Sequence, residues 1–529
     1  MVQRQHGAPN LNITPPQANA HYRMAREKLT ALRNLFTSLP HIEYIKALGF
    51  GGNGLAIRFR ANFNQQPFDF VLKVSLRNWE SATIRAETKE TRKLDRAAHC
   101  IQTIPREQIG LMAQRPYEWE YPDEDDSSGP EDSSGDESRA DGPGPDVRTG
   151  RRPRNEAERN ALIAKKARHD IRVRAAYRKI EDRDDAIALR HEQGINPPRE
   201  EEDADVQERR ADFLILELCE NGDLENVLYR VNEVNAVVPN RVLWGFWLCM
   251  VRACVAMQYP PRKFHPRRRE QPEFSADGVP VANTRLAGKT VGDELYEDVP
   301  DPRRRWAQKR HVHFDIDPQN ILLTGIDVLT EDNEHKIIPR LKLTDFGLAK
   351  EVKPGKRNIY YANLRDMAKH GYYAPEQFGI DWDFIRPHNA GPGLVGPGAQ
   401  VYRPHGGEIS EEPVAGNYGP HTNVWQMALV AWQLMTKMMP PVPPQLQAKQ
   451  GWHADLPDNY AAAILTEPLY DFYDIELRQT IARCLAHNPR DRPTTRQLLQ
   501  QAKQGINKVF AQEPDAVIKQ WVQEILFDA

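Results

Sequence analysis

The chain has 529 residues, which is too long for one compact core and predicts two or three folding units. Its 71 basic and 74 acidic residues give a net charge of −3, so the composition excludes a general electrostatic attraction to nucleic acid or to a membrane surface. Its 5 cysteines are scattered, with no closely spaced pair that would indicate a disulfide framework or a zinc motif, and predict buried apolar thiols in a reducing compartment. No signal-peptide pattern opens the sequence and no apolar run is long enough to span a bilayer, so we expect a cytoplasmic or nuclear protein.

The first predicted elements are a helix and two strands joined by glycines. Residues 1–40 form an N-terminal extension in which apolar side chains recur at helical spacing and predict an amphipathic helix over 20–39: Leu29, Leu32, Leu35 and Phe36. A strand over 44–48 enters the segment Gly49-Phe50-Gly51-Gly52-Asn53-Gly54, and a second strand leaves it. Glycines between two strands favour a loop whose backbone N–H groups cover nucleotide phosphates, whereas dinucleotide-binding glycines open a helix.

A third strand is followed by a long charged segment. Residues 68–74 alternate like a strand and carry Lys73, which could also be a solvated strand lysine. Residues 113–210 contain an acidic block and then a basic block, which predicts a disordered or partly helical insertion. Serines within the acidic block are candidate phosphorylation sites, although a plain acidic linker explains them equally well.

Apolar character returns after this insertion. Residues 213–219 predict a buried strand, and the apolar positions of residues 242–257 predict a strongly amphipathic helix. A polar insertion follows over 260–309, with two arginine clusters that could be nuclear import signals but are more typical of an exposed basic loop.

One segment contains the candidate catalytic and metal-binding residues: His311-Val312-His313-Phe314-Asp315-Ile316-Asp317-Pro318-Gln319-Asn320. It places Asp315 and Asn320 on a tight loop, where a carboxylate and a carboxamide can face one cavity. One of them could orient a hydroxyl while the other holds a metal ion. A hairpin over 321–323 and 340–343 then delivers a second carboxylate, Asp345, in the sequence Thr344-Asp345-Phe346-Gly347.

Three further segments complete the chain. Ala374-Pro375-Glu376 precedes a Gly- and Pro-rich insertion over 385–420, and an apolar helix opens at Asn423. Near the end stands Asn488-Pro489-Arg490-Asp491-Arg492-Pro493.

In order and context, these segments closely resemble the eukaryotic protein kinase superfamily over about residues 41–110 and 211–505. The resemblance implies an α+β, bilobal protein-kinase-like fold. A small antiparallel β-sheet lobe with one helix spans residues 41–112 and is completed by 211–217. A larger, mostly helical lobe spans 218–259, 310–384 and 421–529.

The resemblance also implies ATP and Mg²⁺ as the nucleotide and the metal, and a protein as the substrate. It implies no membrane partner and no specific nucleic acid, and the insertions are expected to bind other proteins. Asp315 would orient the attacking hydroxyl, while Asn320 and Asp345 would hold magnesium. Arg492 would form a structural ion pair with Glu376.

Nucleotide contacts follow from the same resemblance. Lys73 would contact the phosphates and pair with a glutamate on the next helix, where Glu87 and Glu90 compete. The offsets to Leu94 and His99 favour Glu90. The remaining nucleotide contacts would come from the glycine loop and from the backbone between the lobes: Gly49, Gly51, Gly54, Glu217 and Cys219.

Several positions depart from the family pattern. Phe314 stands where the family has the arginine of its catalytic loop, so the loop is of the non-RD type. Asp317 replaces a lysine near the transferred phosphate, and Lys369 replaces an activation-segment threonine. Two explanations are open: Lys369 could pair with Asp317 and restore the positive charge that the transition state needs, or both positions could have drifted in a protein that no longer needs fast catalysis. Asn423 replaces an aspartate and keeps one acceptor oxygen.

Three functions remain open at this point: an active protein kinase, a pseudokinase scaffold with or without ATP binding that lacks efficient transfer, and a small-molecule kinase of the aminoglycoside phosphotransferase type. The segments around Glu376 and Arg492 argue against the last of these. Pro318 resembles serine/threonine kinases more than tyrosine kinases, so a divergent serine/threonine protein kinase is the predicted function.

Overall fold

The computed structural model describes most of the chain outside its charged insertion. The described ranges are 20–50, 54–63, 66–111, 212–261, 295–301, 306–326, 334–379 (without 355, 357, 366 and 370), 382, 413–446 (without 443) and 455–528 (without 462, 463, 465 and 466). The chain divides into one unit of residues 1–110 with 212–529 and another of residues 111–211. The predicted insertion over 113–210, with its serines, lies outside the described residues. The two arginine clusters and residues 385–412 lie outside them as well.

A four-stranded antiparallel sheet organises the first part of the chain. It consists of β1 (Ile42–Phe50), β2 (Gly54–Phe63), β3 (Gln66–Ser75) and β4 (Leu214–Glu217), in that order. Side chains at every second position of β2, from Leu55 to Ala61, are fully buried, as expected for a strand with one face in the core. The predicted strand–glycine–strand arrangement is confirmed.

Two helices pack on this sheet. Helix α1 (Ala20–Thr37) matches the predicted amphipathic helix, and the ring of Phe36 lies 4.9 Å from that of Phe59 on β2. Helix α2 (Ala82–Arg92) begins after Ser81, whose Oγ accepts a hydrogen bond from the N–H of Ile84 at 3.4 Å. Such a cap satisfies one of the free N–H groups of the first turn.

The rest of the described chain is mostly helical. Its helices are α3 (Leu224–Glu233), α4 (Asn240–Gln258), α5 (Asn358–Ala362), α6 (Pro375–Phe378), α7 (Pro420–Thr436), α8 (Ile475–Cys484), α9 (Thr495–Gly505) and α10 (Asp515–Val522). The described part of the protein therefore combines a small antiparallel sheet with many helices, an α+β arrangement. None of the described helices is long and apolar enough to cross a lipid bilayer.

Helix α4 lies at the centre of these helices. The sequence predicted a strongly amphipathic helix, but every residue of α4 except Arg241 is buried. The prediction was wrong because α7, α9 and residues 341–343 all pack against α4 and leave it no solvent face. The closest approach is at Gly505, where an added Cβ would lie 2.1 Å from the Trp244 ring.

Two short ladders connect the sheet to the helices. Strand β5 (His311–Val312) pairs with β8 (Lys350–Glu351), and β6 (Ile321–Leu323) pairs with β7 (Leu341–Leu343). The second pair confirms the predicted hairpin. Both ladders hold the ends of the 311–320 segment in place.

Residues 295–301 correct one predicted boundary. The sequence placed them in a polar insertion over 260–309, yet Glu297 is buried and accepts a hydrogen bond from the backbone N–H of His99 at 2.7 Å. Leu295 forms a bridge with Ala97. The end of the predicted insertion is thus part of the core, because its polar side chains find buried partners that composition does not reveal.

Candidate active site

The loop from 311 to 320 is anchored by helix α7. Asn423 Oδ1 accepts a hydrogen bond from the N–H of His313, and Asn423 Nδ2 donates one to the carbonyl of His311, both at 2.9 Å. Gln426 Nε2 donates to the carbonyl of Phe314 at 2.9 Å. Because an amide both donates and accepts, Asn423 holds the carbonyl of residue 311 as well as the N–H of residue 313, where a carboxylate could only accept.

Phe314 occupies a strained backbone position inside an aromatic pocket. Its φ is +66°, in the left-handed region that bulky residues rarely adopt. Its ring is fully buried and meets the ring of Tyr418 edge-on at 5.4 Å. The surrounding side chains, among them Val312 and Tyr361, form a separate apolar cluster that offsets the backbone strain.

His313 ties the loop to the segment that carries Asp345. Its Nε2 lies 3.0 Å from the carbonyl of Thr344, and its Nδ1 lies 3.2 Å from the N–H of Asp315. These partners require a neutral ring that donates through Nε2 and accepts through Nδ1. Burial lowers the pKa of His313 to about 4, which favours that neutral form.

Asp315 and Asn320 face each other across the loop. Asn320 Nδ2 donates to the backbone carbonyl of Asp315 at 2.8 Å and to its Oδ2 at 3.1 Å. The N–H of Thr344 donates to the carbonyl of Asn320 at 3.0 Å, so the loop is fixed to residue 344 from both ends. Asp315 Oδ1 is buried and has no hydrogen-bond partner in the described part of the chain.

Lys73, on strand β3 of the sheet, contacts both helix α2 and the segment that carries Asp345. Its Nζ lies 2.7 Å from Glu87 Oε1 on α2 and 3.0 Å from Asp345 Oδ1. Burial would lower the pKa of Lys73, but the two carboxylates outweigh burial and raise it above its ordinary value. Asp345 adopts a φ of +62°, and 42% of its side chain is exposed. The lysine therefore stays charged beside a carboxylate that solvent can reach.

The prediction that Glu90 pairs with Lys73 is wrong. Glu90 lies one helical turn beyond Glu87 and is within 2.9 Å of His311 Nε2 and 3.0 Å of Lys93 Nζ. Burial alone would raise the pKa of Glu90, but His311 and Lys93 lower it to about 2. Spacing along the sequence could not decide which turn of α2 faces β3, because that depends on how the helix packs.

Lys369 and Asp317 form the predicted ion pair. Lys369 Nζ also donates to Gln319 Oε1 at 2.7 Å. Asp317 Oδ1 accepts from the N–H of Gln319 at 2.7 Å and caps the turn Pro318–Asn320. Burial raises the pKa of Asp317 to about 6 in spite of Lys369. No pattern in the sequence indicated that Gln319 would share the lysine.

The predicted nucleotide contacts stay predictions, and the structure describes the surroundings of some of these residues. Gly49 and Gly54 lie on facing ends of β1 and β2, and Gly51 lies outside the described residues. An added Cβ at Gly54 would lie 2.9 Å from the carbonyl oxygen of Val74, so the close approach of β3 requires glycine there. The N–H of Glu217 donates to the carbonyl of Gln102 at 3.1 Å, and an adenine contact through Glu217 or Cys219 stays a prediction.

Glu376 and Arg492 form the predicted buried ion pair. Two N–H groups of Arg492 donate to the two carboxylate oxygens of Glu376, each at 2.8 Å. Both side chains are fully buried. Burial would raise the pKa of Glu376, but Arg492 outweighs burial and lowers it.

Comparisons with known proteins do not identify the chain. No model of a known protein family matches it, and no curated protein does either.

Proposed function

We propose that this chain is an ATP-dependent protein kinase that transfers the γ-phosphate to serine or threonine residues of protein substrates. The observation that carries the proposal is the position of Lys73 Nζ, within 3.0 Å of carboxylates from both α2 and the 344–347 segment. Together with the glycine turn and the loop at Asp315, this arrangement fits a bilobal protein-kinase-like fold. ATP would be expected between the sheet and the helical part.

The side chains present fit a magnesium ion. Mg²⁺ prefers oxygen ligands, and Asp345 and Asn320 offer a carboxylate and an amide oxygen. Asp345 is exposed enough for an ion to reach it. A magnesium ion held by Asp345 and Asn320 would supply positive charge that neutralises charge on the phosphates.

The roles of the protein's own groups follow from their surroundings. A carboxylate oxygen that is buried without a partner, such as Asp315 Oδ1, is costly unless something binds to it. A substrate hydroxyl would fill that role, and Asp315 would orient it by accepting its hydrogen bond. Lys73 would hold phosphate oxygens, and Glu87 would keep the lysine in position.

The carboxylate of Asp317 in this loop favours a second function. Asp317 puts a carboxylate where protein kinases have a lysine, and the cation that the structure places beside it is Lys369. A pseudokinase that binds ATP without efficient transfer would tolerate this change. In that function the protein would act as a scaffold, with the insertions as surfaces for other proteins.

Two measurements test the proposal in order. The first is thermal unfolding with ATP, with and without magnesium. We expect an upward shift in the unfolding temperature, and Asp345→Ala should abolish its magnesium-dependent part. Asp515→Ala, an exposed aspartate on α10, is the matched control and should keep the full shift. No shift in the unmutated protein would reject ATP binding and the active kinase with it.

The second measurement is transfer of labelled phosphate from ATP to a mixture of model protein substrates. Label on serine or threonine that is lost with Asp315→Asn supports the kinase. A magnesium-dependent ATP shift without any transfer would replace the kinase with the pseudokinase.

A further inference from the structure

A group of three potential metal ligands lies in the core, away from the site at Asp315. His99 follows helix α2, Cys249 lies on α4, and His335 precedes β7; all three are buried. A nitrogen or sulfur atom of each lies within 4.8 Å of the others. No close spacing in the sequence indicated this group, because its members are far apart along the chain.

The two histidines are already at the separation of zinc ligands. His99 Nε2 and His335 Nε2 lie 3.2 Å apart. Tetrahedral zinc binds histidine nitrogens at about 2.0–2.1 Å, which puts two such nitrogens roughly 3.3 Å from each other. A small movement of the Cys249 side chain would bring its sulfur into binding distance of a zinc ion held by the two histidine nitrogens.

Glu297 supplies the partner that metal-binding histidines commonly have. Its Oε2 lies 2.6 Å from His99 Nδ1, and its Oε1 accepts from the backbone N–H of His99 at 2.7 Å. A carboxylate on Nδ1 keeps the proton there and leaves the lone pair of Nε2 free to bind a metal. Glu297 is itself buried and belongs to the 295–301 segment that packs into the core.

The charges of the group are compatible with a divalent ion. Three cations lie near the group. The guanidinium of Arg252 pairs with Glu334 and donates to the backbone carbonyl of Glu297. Lys342 pairs with Glu217, and Arg340 donates to the hydroxyl of Tyr296. A zinc ion, the Cys249 thiolate and the Glu297 carboxylate together sum to zero charge, against −1 for the same group with a neutral thiol and no metal.

We propose that His99, His335 and Cys249 bind one zinc ion, with Glu297 as the residue that positions His99. The thiol of Cys249 loses its proton to solvent when the metal binds. A cavity of about 10 Å³ borders His99 and Cys249 and is at the lower limit of the space for one water molecule. The ion would link α4, the segment after α2 and the segment before β7. This structural role is independent of the proposed kinase function.

A competing explanation needs no metal. Two neutral imidazoles 3.2 Å apart can share a single N–H···N hydrogen bond, with His335 as the donor and His99 as the acceptor. The two explanations differ in whether the thiol of Cys249 takes part, and cobalt reports on this directly. Co²⁺ bound to a thiolate gives a sulfur-to-metal charge-transfer band that an imidazole pair cannot give.

The experiment uses the full chain without an affinity tag, stripped of metal with a chelator and titrated with Zn²⁺ or Co²⁺. We expect one equivalent to bind, the Co²⁺ form to show the thiolate band, and the unfolding temperature to rise. Cys249→Ala and His335→Gln should each lose the bound metal. Cys484→Ala, a buried free cysteine outside the group, is the matched control and should keep it.

Glu297→Gln tests the positioning role and should weaken zinc binding by roughly 10–100-fold. Absence of the thiolate band in the unmutated protein would overturn the proposal, even if the variants fail to fold. Equal zinc content in the unmutated protein and in Cys249→Ala would overturn it as well. Neither outcome depends on ATP binding, so failure of the zinc site and failure of the kinase proposal are distinguishable.

Discussion

Lys73 donates a hydrogen bond to Glu87 at 2.7 Å, and Glu90, one helical turn further along, is paired with His311 instead. The two glutamates therefore have separable tasks within one helix. Glu87 connects α2 to the lysine and thus to Asp345, whereas Glu90 connects α2 to the strand before Asp315.

The first prediction compares these two residues. Glu87→Gln should lower kcat/KM for phosphoryl transfer by about 10–100-fold, because a charge-assisted hydrogen bond is worth about 1.5–3 kcal/mol. Glu90→Gln should affect transfer less, because Glu90 does not contact Lys73 in the structure. Steady-state kinetics of both variants measure this. A larger loss of transfer with Glu90→Gln would reverse the assignment of the two roles.

The second prediction concerns compensation between Lys369 and Asp317. Lys369→Thr alone should reduce transfer, because it leaves a carboxylate near the transferred phosphate without its cation. Adding Asp317→Lys should return much of the activity by restoring a positive charge there. The coupling in this double-mutant cycle should be about 0.5–3 kcal/mol, as for residues in direct contact. Strictly additive losses would discard compensation and favour the pseudokinase.

The third prediction is a pH dependence of stability from Asp317. Its pKa is raised from 3.8 to about 6, so between these values the folded protein binds a proton that the unfolded chain has released. The contribution of Asp317 to the free energy of unfolding therefore falls as the pH rises from about 4 to 6. Asp317→Asn should remove this decline, which is of the order of 1–3 kcal/mol.

Urea unfolding of both proteins at several pH values gives the necessary difference, since other titrating groups cancel in it. A difference that stays constant between pH 4 and 7 would show that the Asp317 pKa is not raised.

The fourth prediction concerns regulation through the aromatic pocket at Phe314. A buried phenylalanine at position 314 cannot pair with the phosphate of a phosphorylated activation segment. Phosphatase treatment should therefore leave transfer activity nearly unchanged. Phe314→Arg should not create phosphate dependence and should destabilise the protein by about 3 kcal/mol or more, because it buries an unpaired charge. Activity before and after phosphatase treatment, with thermal unfolding of the variant, measures both effects. Near-complete loss of activity on dephosphorylation would show that another basic residue binds the phosphate.

The fifth prediction concerns the buried pair of Glu376 and Arg492. Arg492→Ala should lower the free energy of unfolding by about 3–5 kcal/mol, because it leaves a buried carboxylate without its cation. Arg496→Ala is a suitable control, since Arg496 is exposed and donates a hydrogen bond to the carbonyl of Pro300. Its cost should be below about 1 kcal/mol. Denaturant unfolding compares the two, and equal costs would contradict the importance of the pair.

The sequence by itself determined the order of the local elements. Alternation placed Lys73 on a strand, and helical spacing found α1, because both periods reflect neighbours along the chain. The glycines between β1 and β2 marked a turn for the same local reason. The pairing of Lys369 with Asp317 was also predictable, since it followed from two substitutions at offsets that family resemblance brings together.

Only the tertiary structure decided the contacts that depend on packing. It selected Glu87 over Glu90, surrounded α4 on all sides and drew residues 295–301 into the core. It also brought together His99 and His335, which are 236 residues apart in the chain. Such contacts depend on how helices and segments pack across long sequence separations, and no local period records that.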